Sequence, residues 1–265
     1  MLKIHNLSIS FQRPRGFFSF ERISPVRSLN LQLRKGELMA VVGESGAGKS
    51  LMLHALLGLL PKNARVKGEI LYRGAPLTTA RIRQLRGKEI AFIPQNLGFL
   101  NPLIPVGKQV ARAARLSGKS RKAAGLARDA VFRQYNLESR VKDLYPFQIS
   151  GGMARRILCA AAVAGEPRLI LADEPTTGLD AENTALSLDL LKDLSRQGCS
   201  ILLITHDLKA ALDIADTVSI FKEGCCVETA GVGRFKTPAA LNHPYSKNLY
   251  NALPQNQFIS AVADL

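Results

Sequence analysis

One octapeptide constrains this chain more than any other feature. Gly43-Glu44-Ser45-Gly46-Ala47-Gly48-Lys49-Ser50 fits GxxxxGK[ST] at every fixed position, between the apolar run Leu38–Val42 and the apolar stretch Leu51–Leu60. The flanks read as a strand entering a loop and a helix leaving it, a unit of α/β proteins. The glycines let consecutive backbone N–H groups curl around phosphate oxygens, where a side chain would block the approach. The helix that starts here turns the positive end of its dipole toward the anion. Lys49 is expected to reach the β- and γ-phosphates, and the Ser50 hydroxyl to ligate Mg²⁺. Residues 43–50 together are therefore candidate contacts for a nucleoside triphosphate.

The rest of the chain fits the same class. Its 265 residues allow one large domain or two small ones. A hydrophobic content of 46% with 22% charged residues excludes a disordered or collagen-like chain. No apolar run approaches the roughly 18 residues of a membrane span. The start, MLKIHNLSIS, alternates polar with apolar and lacks the core of a signal peptide, so a soluble, non-exported protein is expected. Strands are expected over Leu2–Phe11, Leu29–Leu33, Leu38–Val42, Glu69–Tyr72 and Ile90–Ile93, with Gln12–Ser24 a loop insertion. Val106–Arg140 is rich in Ala, Arg and Lys at helical spacing. Helices Met153–Ala164, Glu182–Arg196 and Leu208–Ala215 then alternate with strands Leu169–Ala172 and Ser200–Thr205. Thr217–Phe221 and Cys225–Glu228 form a closing hairpin. This order predicts an α/β core with a mostly parallel sheet, interrupted by a basic helical subdomain. The cysteines, Cys159, Cys199, Cys225 and Cys226, show no CxxC spacing. They point to neither a zinc site nor a disulfide framework, and Cys159 and Cys199 are expected in the core.

Two further elements carry chemistry. Leu169-Ile170-Leu171-Ala172-Asp173-Glu174 is an apolar strand ending in two acids. Asp173 is suited to holding Mg²⁺ through water, and Glu174 to polarising a water that attacks the γ-phosphate. Ile149-Ser150-Gly151-Gly152-Met153 opens a helix with a Ser and two glycines, which reads either as a second phosphate-binding N-terminus or as an ordinary cap.

With Thr205-His206-Asp207 added, the series resembles the nucleotide-binding domain of ABC ATPases over residues 1 to about 228. The resemblance implies a RecA-like P-loop NTPase core, an N-terminal antiparallel β-subdomain and an inserted α-helical subdomain, in one domain spanning 1–265. The core with the β-subdomain would take 1–96 and 155–228, the helical subdomain 97–154, and a tail 229–265. It also implies roles. Gln95 matches the Q-loop glutamine that contacts Mg²⁺ and water and couples to membrane partners. Ser150, Gly151, Gly152 and Met153 match the signature motif that closes over ATP bound by the opposite subunit. Asp180, in Leu179-Asp180, matches the D-loop at the dimer interface, and His206 the switch histidine at the γ-phosphate. Phe11 aligns with the aromatic that stacks on adenine, with Arg13, Arg15 and Arg22 as rival contacts.

Met153 stands where most ABC domains have Gln, and SGGM resembles the peptide/nickel importer branch. Leu100-Asn101-Pro102, Asp173–Thr177, Tyr145-Pro146-Phe147 and the tail His243-Pro244-Tyr245-Ser246-Lys247, followed by Leu249 and Pro254, agree. Ending at Leu265, the chain is more similar to the shorter nickel- or metallophore-type subunits than to the longer peptide-type ones. Ala154-Arg155-Arg156 departs from the usual Arg-Gln-Arg-like run, with Arg156 expected to keep the anchoring role. The resemblance implies ATP and Mg²⁺ as cofactors. It implies two membrane-spanning permease subunits, a second and non-identical ATPase subunit, and a solute-binding protein as partners. The place implied is peripheral, on the cytoplasmic face of the membrane. A soluble ATPase of a carbon–phosphorus lyase complex resembles the same branch.

Charge suggests a further rival. Residues 1–150 carry 26 Lys/Arg against 8 Asp/Glu, and residues 151–265 carry 10 against 13. Such basicity fits nucleic acid, an anionic membrane, an anionic cofactor or a solvated face. ABC proteins acting on nucleic acid usually carry two cassettes per chain, and one phosphate-loop motif occurs here, so no nucleic-acid partner is expected. The basic section Lys108–Lys142 lies where ABC domains dock membrane partners.

Overall fold

The computed structural model describes residues 1–15 and 20–253. In chain order come β1 (Leu2–Pro14), β2 (Phe20–Leu33), β3 (Leu38–Gly43), α1 (Lys49–Leu57), β4 (Arg65–Tyr72) and β5 (Ala75–Pro76). Next are α2 (Thr79–Leu85), β6 (Ile90–Ile93), α3 (Val106–Leu116), α4 (Arg121–Gln134), α5 (Gly151–Val163) and β7 (Leu169–Asp173). The chain closes with α6 (Ala181–Arg196), β8 (Ser200–Thr205), α7 (Leu208–Ile214), β9 (Thr217–Lys222), β10 (Cys225–Gly231) and α8 (Pro244–Asn251). Two compact units divide it: Met1–Leu77 with Ile204–Leu265, and Thr78–Leu203.

The first unit holds an antiparallel sheet in the order β2-β1-β4-β5. Period-2 alternation puts Leu2, Ile4, Leu29, Leu31 and Leu33 into its buried face. Leu2 pairs with Leu33 on one side and Tyr72 on the other. In the expected loop insertion 12–24, residues 12–14 and 20–24 are strand instead. Strand β1 runs on to Pro14 and β2 starts at Phe20, with Gln12 opposite Arg22 and Arg13 opposite Glu21. The opposed charges and the Arg22 guanidinium, donating to Ser10 Oγ at 3.1 and 3.0 Å, favour pairing where the composition suggests a loop. Phe17 and Phe18 of that expected loop lie outside the described residues.

In the same unit β3 is buried at all six positions and pairs in parallel with β9, which turns back antiparallel into β10. A continuous apolar run is what a strand covered on both faces requires. The Asp216 carboxylate accepts from Leu38 N at 2.8 Å and fixes where β3 begins. Helix α1 stops three residues before the expected Leu60, because Gly58 takes the left-handed conformation (φ 63°) and its N–H closes on Ala55 O. Residues 229–231 complete β10, and Tyr245, Leu249 and Tyr250 of α8 pack against a core of Ala40, Val42, Val218, Ile220 and Leu253. Pro254 lies outside the described residues.

In the second unit β6 pairs in parallel with β7, both largely buried, in the order β8-β7-β6. The basic middle forms α3 and α4, whose apolar positions Val110, Ala114, Val131 and Phe132 are buried while most of their lysines and arginines face solvent. Cys159 and Cys199 are buried as expected, and burial pushes both thiols up to about 12. Among the described residues no helix is long and apolar enough to cross a membrane.

Candidate active site

The first unit carries the phosphate loop at the carboxyl end of β3. Gly43 is required there by contact: a Cβ would lie 2.2 Å from the Phe221 carbonyl oxygen of β9. Gly48 is required twice, by φ 94° and by the Pro25 carbonyl oxygen 2.2 Å from where its Cβ would stand. Glu44, Ser45 and Gly46 are exposed, whereas Ala47, Gly48 and Lys49 are buried and Ser50 is half-buried. Lys49 Nζ donates to Gly43 O at 2.7 Å and Glu44 O at 2.8 Å, so the ammonium lies along the loop backbone. His206, between the end of β8 and α7, is exposed. It is framed by Thr205 Oγ1, which accepts from Asp207 N at 3.0 Å, and by the Asp207 carboxylate, which caps α7 at Ala210 N. Phe11 is half-buried within β1, opposite Ile23, well inside the hairpin.

The second unit carries the acids. Asp173 ends β7 and is 4% exposed. Glu174 follows with φ 46°, a left-handed backbone that a glutamate adopts at a cost of order 1–3 kcal/mol. Its Oε2 accepts from Thr177 Oγ1 at 3.0 Å and from Gln95 Nε2 at 3.4 Å. Gln95 and Glu174 are thus brought together from segments 79 residues apart. Ser150 caps α5, its Oγ accepting from Met153 N at 3.2 Å. A Cβ on Gly151 or Gly152 would meet only a leucine methyl, at 3.9 or 3.7 Å, so packing within this chain does not demand glycine there. Asp180 caps α6. The Asn183 N–H and side-chain amide hold its carboxyl below the usual carboxylate range.

A family model for ABC transporters matches residues 26–177, more than half of the chain. The chain belongs to the ABC transporter family. It is 37% identical over 266 residues to the oligopeptide transport ATP-binding protein OppD of Bacillus subtilis, covering 96% of this chain and 72% of that one. It is likewise 37% identical over 271 residues to the glutathione import ATP-binding protein GsiA of Pectobacterium atrosepticum, covering 96% of this chain and 42% of that protein. Among solved structures, a dimeric post-hydrolysis ATP-binding cassette, MJ0796, bound to ADP and Pi superposes with a TM-score of 0.78 at 25% identity. That match covers 88% of this chain and 99% of the cassette. This chain is an ABC-type ATPase with a P-loop NTPase fold.

Sequence reasoning missed two contacts in this ABC ATPase. Arg155 of α5 is 4% exposed, and its Nη1 and Nη2 donate to Pro94 O at 2.6 Å and Gln95 O at 2.5 Å. Burial lowers its pKa from the ordinary arginine value. Arg156 has a different hold, on the carbonyls of Tyr135 and Asn136. The signal for Arg155 was its departure from the Arg-Gln-Arg-like run that the resemblance implies, but nothing in the sequence says which carbonyls it meets. The second contact joins Tyr245 of α8 to Glu44 of the phosphate loop, 201 residues apart.

Proposed function

We propose that this chain is the energy-coupling ATPase subunit of an importer for peptide-class solutes, peripheral on the cytoplasmic face of the membrane. It would work with two membrane-spanning permease subunits, a second ATPase subunit and a solute-binding protein. The relatives bear names for oligopeptide and glutathione import, which favours peptides over the nickel or metallophore type. They equally favour transport over a soluble lyase complex. A groove of about 370 Å³ in the second unit, lined by Phe92, Pro94, Phe99, Leu116 and Leu158, lies next to Gln95 and is apolar enough to receive a permease segment. Lys108, Arg112 and Arg115 recur along one exposed face of α3 and suit anionic lipid headgroups.

The observation that carries the hydrolytic reading is Glu174. It is a carboxylate on a left-handed backbone, braced by Thr177 and Gln95 and so held in one place to polarise an attacking water. Lys49 would leave its two backbone carbonyls for the β- and γ-phosphates, and His206 would contact the γ-phosphate. Ser50, Gln95 and Asp173 offer only hard oxygens, the donor chemistry Mg²⁺ prefers, and are the residues that would hold it. Bound there, the ion would neutralise charge on the phosphate oxygens. Ser150–Met153 and Asp180 would face ATP held by the partner subunit. Two signature glycines that this chain's packing does not need leave room for such a ligand. Adenine would stack on Phe11. Arg13, Arg15 and Arg22 of the same hairpin are its rivals.

Reconstitution with its permease and binding protein in proteoliposomes tests the reading. ATP-dependent uptake of short peptides or glutathione is expected. Uptake of nickel chelates without peptides would overturn the solute class, and co-purification with soluble lyase subunits would overturn the transporter role.

A further inference from the structure

The tail motif His243-Pro244-Tyr245 is built into the first unit by a chain of specific contacts. Glu228 of β10, 8% exposed, accepts from Asn242 N at 2.8 Å through Oε1 and from His243 N at 3.1 Å through Oε2. Burial alone would raise its carboxyl, but these N–H donors, together with Ser246 and the Arg234 guanidinium, hold the group below the usual glutamate value. The turn before α8 is thereby fixed to the sheet. Pro244 opens the helix and His243 Nδ1 accepts from Tyr245 N at 3.1 Å, capping the first turn. Tyr250 Oη donates to Lys236 O at 2.8 Å, and Leu249 and Leu253 pack into the core beneath.

A helix seated this way aims Tyr245 at one place. Its ring lies under Lys222 Nζ, 5.0 Å from the centroid, and its hydroxyl donates to Glu44 Oε1 at 3.0 Å. Burial and the Glu44 carboxylate both raise the phenol's pKa, so it remains a donor at neutral pH. Glu44 is the second residue of the phosphate loop. Its carbonyl and that of Gly43 hold Lys49, and Gly43 is pressed onto Phe221 beside Lys222. A free carboxylate in that loop repels an incoming polyanion. One tied to a tyrosine hydroxyl keeps a set position and has part of its charge answered.

We propose that Tyr245 is a positioning residue for the phosphate loop, tying Glu44 to α8 so that the loop is set to accept the triphosphate. The proposal rests on the reading of residues 43–50 as the ATP site. Tyr245→Phe keeps the ring, its packing and its contact with Lys222, and removes only the donor. The test is binding of a fluorescent ATP analogue with Mg²⁺ to the purified full chain, alongside thermal melts without nucleotide. Tyr245→Phe is expected to weaken binding about 3- to 10-fold, a fraction of what a hydrogen bond to a charged group supplies, with the melting temperature nearly unchanged. In a Glu44→Ala background the same substitution should have no effect, because the carboxylate it controls is gone. Wild-type affinity in Tyr245→Phe would overturn the proposal. So would an equal loss with and without Glu44, which would mark a packing role. Lys49→Ala separates the two readings: if it leaves binding unchanged, the ATP reading of the loop itself fails.

Discussion

Replacing Arg155 should weaken the architecture of this ATPase and its turnover together. The buried guanidinium makes two charge-assisted bonds to adjacent carbonyls, Pro94 O and Gln95 O. Each such bond is worth about 1.5–3 kcal/mol net. Relief of the guanidinium's own desolvation returns part of that, so Arg155→Ala should cost about 2–3 kcal/mol. In a chain of this size each kcal/mol moves the melting temperature by about 2–4 °C, which gives a fall of roughly 4–12 °C. The same change loosens the segment carrying Gln95, whose side chain reaches Glu174. Misplacement of that order lowers kcat by roughly 10- to 100-fold. KM for ATP should move little, since Lys49 takes its contacts from other residues. Arg155→Gln restores one donor and should recover part of both losses. Melts with steady-state ATPase assays on the reconstituted transporter read all three quantities. An Ala variant with wild-type stability and turnover would refute the reasoning, and so would a Gln variant no better than Ala.

Glu174→Gln keeps the side chain's shape and should retain ATP while hydrolysis falls by about 10²–10⁴, and near-normal turnover would remove Glu174 from its role. Charge reversal at Lys108, Arg112 and Arg115 should weaken recovery of the chain with the proposed permease subunits while ATP affinity stays constant. Assembly untouched by it would make that face merely solvated. Glu228 sets a pH dependence. Its folded carboxyl titrates below its unfolded value, so its stabilisation is complete above the ordinary glutamate range, about pH 4.3, and fades as pH falls through the depressed value. Glu228→Gln should melt lower than wild type at neutral pH and lose less on acidification. Parallel melting curves between about pH 3 and 7 would count against this.

What the sequence revealed, and what it hid, follows from how far apart the interacting groups lie. The phosphate loop is legible because its demands are met by its own letters: Gly48 must take φ 94°, and Gly43 must carry no Cβ whatever strand lies against it. Strands β3, β7 and β8 are legible because strands buried on both faces must be apolar throughout. The β1–β2 hairpin was misread because Pro, Gly and Phe in 12–24 look like loop composition, while the pairing of Arg13 with Glu21 exists only once the strands meet. Arg155 and Tyr245 were each noticed as letters of a motif. Their partners lie 61 and 201 residues away, at a backbone carbonyl and at Glu44, a variable position of the phosphate-loop pattern, and neither letter announces the contact.

Glu174 belongs to neither group. The sequence marked it, but as a side chain, and its backbone was invisible. A glutamate at φ 46° defies local preference. It holds that conformation between a fully buried strand and a carboxylate braced by Thr177 and Gln95. Local rules are expected to fail where a fold must aim a group rather than bury it. The backbone alone does not mark the site, since Glu166 at φ 54° and Glu223 at φ 48° share it; what sets Glu174 apart is the pair of side-chain donors, Thr177 Oγ1 and Gln95 Nε2, that meet on its carboxylate.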